Sequence, residues 1–147
     1  MKKTIIIVFF LLLGINTIHA QEWLTNFEEV QQIATKEDKY IILVFAGSDW
    51  CAPCIKLEKQ VLNTQEFKSL AKEKYLLIKA DFPRKKRNRL TQELQGQNKK
   101  LAEKYNKSGG FPMVVVLDSK GKKLGELGYK KSTPKEYFNS LNKMIKI

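Results

Sequence analysis

Residues 40–46, Tyr-Ile-Ile-Leu-Val-Phe-Ala, are an unbroken apolar run rich in β-branched side chains, which predicts a strand covered on both faces. Upstream, Trp23, Phe27, Val30 and Ala34 recur at helical spacing, so an amphipathic helix is expected over residues 23–37. Gly47-Ser48-Asp49 breaks the strand, and Cys54, Leu57 and Val61 then share one face of a helix expected over residues 51–62. Asn63-Thr64 interrupts that helix, and Thr64, Phe67 and Leu70 begin a second short one. Another strand is expected over residues 75–81, with Pro83 ending it. Beyond a basic run, Leu90, Leu94, Leu101 and Tyr105 form a helical stripe that Gly96 weakens, and Ser108-Gly109-Gly110 breaks the pattern. Residues 113–117 are wholly apolar, residues 118–121 read as a turn, and residues 122–129 supply a partner strand, which together predict a hairpin. The last helix has a legible start: Thr133 caps it, Pro134 takes its first position and Glu136 completes a capping box. Tyr137, Leu141, Met144 and Ile145 form its buried face.

Helix, strand, helix, strand, helix, strand, strand, helix is the order of an α/β protein. A central mixed sheet flanked by helices is expected, parallel where a helix separates two strands and antiparallel in the terminal hairpin. No linker, repeat or low-complexity segment divides the 147 residues, so one domain is predicted. With 43% hydrophobic and 29% charged residues, the chain falls among ordinary globular sequences rather than disordered ones.

Residues 1–20 are of a different kind. Lys2 and Lys3 precede the apolar stretch of residues 5–13, Gly14 and Asn16 loosen it, and Ala20 is small, which is the order of a cleaved signal peptide. An uncleaved anchor is the rival reading, but residues 4–18 fall short of the roughly 20 apolar residues that a spanning helix needs. Cleavage after Ala20 leaves Gln21 first, with residues 21–147 forming the domain, and places the protein in the periplasm or outside the cell. No cysteine lies near the cut, which argues against an acylated lipoprotein.

Cleavage also removes His19, the only histidine, and the loss of Lys2 and Lys3 takes the side-chain charge from +12 to +10. Two cysteines without histidine cannot make an ordinary four-ligand zinc site, and a histidine base is excluded. No metal or cofactor is therefore expected. What remains is Cys51 and Cys54, in a compartment that permits disulfides. Cysteines at i and i+3 of a helix stand on one side with Cα atoms roughly 5–6 Å apart, within reach of a bond. Unpaired N–H groups and the helix dipole at the helix start favour the thiolate of Cys51, while Cys54, a turn further in, is expected to be more buried. Cys51 is thus the attacking thiol and Cys54 the resolving one. Pro53 loses nothing by lacking an N–H in the first turn and stiffens the loop, and Trp50 is expected to pack beside the pair.

Asp49-Trp50-Cys51-Ala52-Pro53-Cys54 after the strand of residues 40–46, with Gly110-Phe111-Pro112 before the hairpin, resembles thioredoxin. The Gly-Ser-Asp-Trp-Cys approach is similar to that of exported bacterial thioredoxin-like proteins, and the likeness covers residues 22–147. It implies a thioredoxin-like fold and thiol–disulfide exchange with protein substrates. It also implies a cis bond before Pro112, which would lie against the thiols, and a substrate-binding role for the backbone of Phe111. One departure matters. The strand into the motif carries Val44 or Phe45 where thioredoxins keep a buried carboxylate, so water or Glu58 is left to assist the resolving thiol. The stretch between Cys54 and Pro112 is also longer than in thioredoxin and holds the basic run.

Plainer readings stand beside these. The cysteines could form a permanent structural disulfide, but so short a loop gives little stabilisation. Glu58, between Lys56 and Lys59, could be solvated surface, Trp50 and Phe111 could be packing, and Lys79 and Asp81 are left outside the site. Arg84-Lys85-Lys86-Arg87-Asn88-Arg89 reads as a solvated loop and helix start rather than a nucleic-acid site, with steering of acidic partners or weak contact with a membrane surface as the intermediate option. The function expected is a monomeric extracytoplasmic oxidoreductase, leaning to the reducing direction, with protein disulfides as substrates and a membrane thiol carrier as electron donor. A non-catalytic binding module and a disulfide-donating oxidase are the alternatives.

Overall fold

The computed structural model describes residues 22–145, so the signal peptide expected over residues 1–20 lies outside the described residues. Four strands and five α-helices form three layers. In chain order they are α1 (Phe27–Glu37), β1 (Tyr40–Ala46), α2 (Ala52–Leu57), α3 (Gln65–Ala71), β2 (Tyr75–Asp81), α4 (Gln92–Tyr105), β3 (Met113–Leu117), β4 (Lys123–Leu127) and α5 (Pro134–Asn142). The sheet order is β2-β1-β3-β4.

β1 lies inside the sheet, and its apolar run is explained by its two faces. Ile42, Val44 and Ala46 meet α2, α3 and α5 through Leu57, Phe67, Tyr137 and Leu141. Ile41, Leu43 and Phe45 meet α1 and α4 through Val30, Ala34, Leu101 and Tyr105. A strand covered on both faces carries no polar alternation.

β1 and β2 are parallel, from Tyr40 opposite Tyr75 to Ala46 opposite Asp81. The parallel pairing expected for the next strand is not found: β3 runs antiparallel to β1, with Met113 opposite Phe45 and Leu117 opposite Ile41. The reason is geometric. Residues 106–112 follow α4 and bring the chain to the end of the sheet where β1 finishes, so β3 can only run back along it. The β3–β4 hairpin is antiparallel as expected, with an irregularity at Val116/Leu117.

Three helices differ from their expected extents. α1 starts at Phe27, not at residue 23, because the Asn26 side chain accepts the Glu29 N–H at 3.0 Å and caps the helix there. Leu24 is instead extended beside β2, bonded to Leu77 O and Lys79 N at 2.9 and 3.3 Å, and shields that edge strand. The helix of residues 51–62 is regular only to Leu57, and Glu58–Leu62 form a π turn closed by Asn63 N–H to Glu58 O at 2.8 Å. That widening buries both Val61 and Leu62. α4 runs unbroken through Gly96, and its buried positions are Asn98, Leu101 and Tyr105 rather than Leu90 and Leu94. The capping box of α5 forms as expected, with Glu136 N–H to Thr133 Oγ1 at 3.2 Å and Thr133 N–H to Glu136 Oε2 at 2.8 Å.

Candidate active site

At the carboxyl end of β1 the chain turns on Gly47, whose carbonyl accepts the N–H groups of Trp50 and Cys51 at 3.2 and 2.9 Å. Cys51 is the N-cap of α2, and Pro53 sits in its first turn. The two cysteines are bonded, with Cα atoms 5.2 Å apart. The Cys54 N–H donates to Cys51 Sγ at 3.3 Å, so an otherwise unpaired helix-start donor already points at the outer sulfur. A thiolate there would gain that same donor and the helix dipole. Both residues are largely covered, Cys51 retaining 4% of its surface and Cys54 1%. Cys54 is the more covered of the two, as its place further into the helix leads one to expect. Beneath the pair lies apolar packing that includes Val44, while Phe45 faces the other layer. Of the two candidates for the missing carboxylate position, Val44 is therefore the one on the thiol side.

Among the described residues, Trp50 and Ile55 are the large apolar side chains left exposed, at 37% and 46%. The Trp50 indole donates to Phe82 O at 2.8 Å and meets the ring of Phe111 edge-on at 5.7 Å between centroids. Phe111 in turn packs against Phe82 at 5.4 Å. The Phe111–Pro112 bond is cis, as the resemblance implies, and Pro112 is buried. Trp50 and Phe111, distant in sequence, thus form one aromatic surface beside Cys51. The indole also lies over Gly47: a Cβ there would come within 2.3 Å of the ring, so only glycine lets the indole lie this close.

Glu58, one turn after Cys54, is not a solvated surface glutamate. It is half-buried against Lys79, whose Nζ donates to Oε2 at 3.0 Å and lies 2.9 Å from Oε1. Oε1 is off the direction of a hydrogen bond despite that short distance, so its lone pairs are left without a directed donor. Lys79 also stands 5.2 Å from the Trp23 ring centroid. Asp81 accepts from Ser48 N–H at 2.9 Å and Ser48 Oγ at 2.5 Å, which ties the end of β2 to the turn before the thiols. Of the two strand-end residues, Asp81 is thus tied to the turn that precedes the thiols and Lys79 to Glu58.

The basic run is exposed, as expected, but it is not a free loop. The Asp49 carboxylate accepts Arg84 N–H and Lys85 N–H, each at 3.0 Å, and Asn88 Nδ2 at 2.9 Å. The Arg84 N–H foremost, then Asn88 and the Lys85 N–H, hold the Asp49 carboxyl down at about 2. The Arg84 guanidinium lies 3.7 Å from the centroid of the Trp50 ring. Nothing local in the sequence signals that residues 49–50 and 82–88 meet, because the contact exists only after β1 and β2 pair.

The comparisons agree with this geometry. Residues 27–145 match the thioredoxin-like domain family. This chain belongs to that family. It is 33% identical over 122 residues to the disulfide bond reductase DsbH of Chlamydia pneumoniae, covering 83% of this chain and 72% of that protein. It is 24% identical over 106 residues to the thioredoxin-related protein DsbJ of the same organism, covering 72% of this chain but 30% of that one. A solved structure of a DsbH oxidoreductase superposes with a TM-score of 0.79 at 32% identity, covering 86% of this chain and 85% of its own. Family membership and a bonded Cys51–Cys54 pair at a helix N-terminus make the thioredoxin-like chain a thiol–disulfide oxidoreductase.

Proposed function

We propose that the protein works outside the cytoplasm as a reductase of protein disulfides, with Cys51 as nucleophile and Cys54 as resolving thiol. The Cys51 thiolate attacks one sulfur of a substrate disulfide, forms a mixed disulfide and releases the other substrate sulfur as a thiolate. Cys54, having lost its proton, then attacks Cys51 Sγ, expels the second substrate thiolate and leaves the Cys51–Cys54 bond. Two electrons pass to the substrate, whose thiolates take up two protons. Trp50, Phe111 and Pro112 supply the surface against which the substrate segment lies. In this reading Glu58, one turn after Cys54, accepts the Cys54 proton, since Val44 offers no carboxylate. A membrane thiol carrier returns the electrons, and the protein acts as a monomer.

The observation that carries this reading is the Cys54 N–H aimed at the sulfur of Cys51, the N-cap of α2. Family kinship with a disulfide bond reductase supports the reducing direction. Export rests on the order of residues 1–20, and N-terminal sequencing of the exported protein should begin at Gln21. Insulin reduction with dithiothreitol tests the chemistry. The wild type should hasten precipitation and Cys51→Ser should abolish the effect, whereas equal rates for both would leave a binding module. Equilibration with glutathione tests the direction: a potential near or below about −230 mV supports a reductase, and one near about −120 mV a disulfide donor.

A further inference from the structure

Residues 82–89 hold the densest charge in the chain, and thiol exchange by itself has no use for it. Arg84, Lys85 and Arg89 line a cavity of about 510 Å³, with Phe82 on one side and Gly96 and Lys99 of α4 on the other. All four cationic residues are exposed, and among the described residues none of them is in an ion pair. The carboxylate in the lining, Asp81, is committed to Ser48 and the Phe82 N–H. The nearby Asp49 accepts backbone N–H groups of the loop and the Asn88 amide. These two acids hold the loop in place, and four cations against two carboxylates leave the cavity positive. Gly96 leaves open space, since a Cβ there would meet nothing within 4 Å.

The position of this cavity gives it a role. Arg84 both lines it and lies on the Trp50 ring, and Trp50 directly precedes Cys51. A polypeptide seated on Trp50 and Phe111 therefore continues onto a concave cationic surface. Arginine forks match carboxylates bidentately, and a cavity of this size suits side chains better than a flat lipid surface.

We infer that the cavity is a specificity site for one or two Asp or Glu side chains of the polypeptide whose disulfide is exchanged at Cys51. The inference rests on the exchange reading above, so the test separates the two. Two disulfide peptides of equal length are compared, one with Asp-Asp and one with Lys-Lys at the flank, as kcat/KM ratios at low and high ionic strength. Cysteine-free versions are titrated against the oxidised protein by fluorescence anisotropy. The wild type should favour the acidic peptide by about tenfold at low salt, and the ratio should approach one at high salt. In the double variant Arg89→Glu, Lys99→Glu the ratio should reach or cross one. Reading a ratio cancels any general loss of activity. Equal rates and equal binding for both peptides in the wild type would overturn the site, as would a preference that survives charge reversal. Binding to anionic vesicles without any peptide preference would also overturn it, in favour of a membrane surface. If neither peptide nor neutral hydroxyethyl disulfide is reduced, the exchange reading fails. The anisotropy arm then decides the cavity alone: acidic-peptide binding lost on charge reversal upholds it, and no binding removes it.

Discussion

The packing of Trp50 over Gly47 can be tested by adding one methyl group. In Gly47→Ala the new Cβ would fall 2.3–2.6 Å from three atoms of the indole. No contact that short is tolerated, so the ring must leave its position. The backbone is no obstacle, because Gly47 is not among the positive-φ glycines. Three interactions go with the ring. They are the hydrogen bond to Phe82 O at 2.8 Å, the Arg84 stack at 3.7 Å and the edge contact with Phe111 at 5.7 Å. Their typical values are about 0.5–1.5, about 0.5–1 and about 0.5–1.5 kcal/mol respectively. Alanine restores about 0.4–1 kcal/mol by restricting the unfolded chain. The net loss should be about 1–3 kcal/mol, or a Tm lower by about 3–10 °C for a chain of this size. Thermal unfolding followed by tryptophan fluorescence in a Trp23→Phe background leaves Trp50 as the reporter. The variant should unfold earlier and its indole emission should shift towards that of solvated tryptophan. An unchanged or higher midpoint with unaltered emission would refute the packing argument.

Further outcomes follow from the same contacts. The Asp49 carboxyl is held at about 2, against an ordinary 3.8, chiefly by the Arg84 N–H. Its hold on the basic loop is therefore complete above pH 3.8 and lost as pH falls through about 2. The Arg84 and Lys85 amide signals should titrate with that low midpoint and lose the transition in Asp49→Asn; a midpoint near 3.8 would count against the clamp. Glu58→Gln should leave attack by Cys51 intact but slow resolution by Cys54 about a hundredfold, so that the mixed disulfide accumulates in quenched-flow samples. An unchanged lifetime of that intermediate removes Glu58 from the proton path.

The amino-acid sequence alone determined several features whose cause lies within a few residues, although the Asn26 cap that starts α1 shows only in the structure. β1 and β3 follow from apolar runs that only a doubly covered strand can use, and the Thr133–Glu136 capping box from groups three residues apart. The cysteine pair was legible for the same reason, because its spacing, its Pro53 and its place at a helix start are all local. The tertiary structure decided what depends on distant segments meeting. It reversed the direction of β3 through residues 106–112, and it drew Leu24 out of a helix to cover the edge of β2. It also paired Glu58 with Lys79 and fastened the basic run to Asp49 and Trp50. Periodicity tells a side chain which face of its own element it occupies. Which other element waits on that face is settled only when the sheet closes and its two sides are packed.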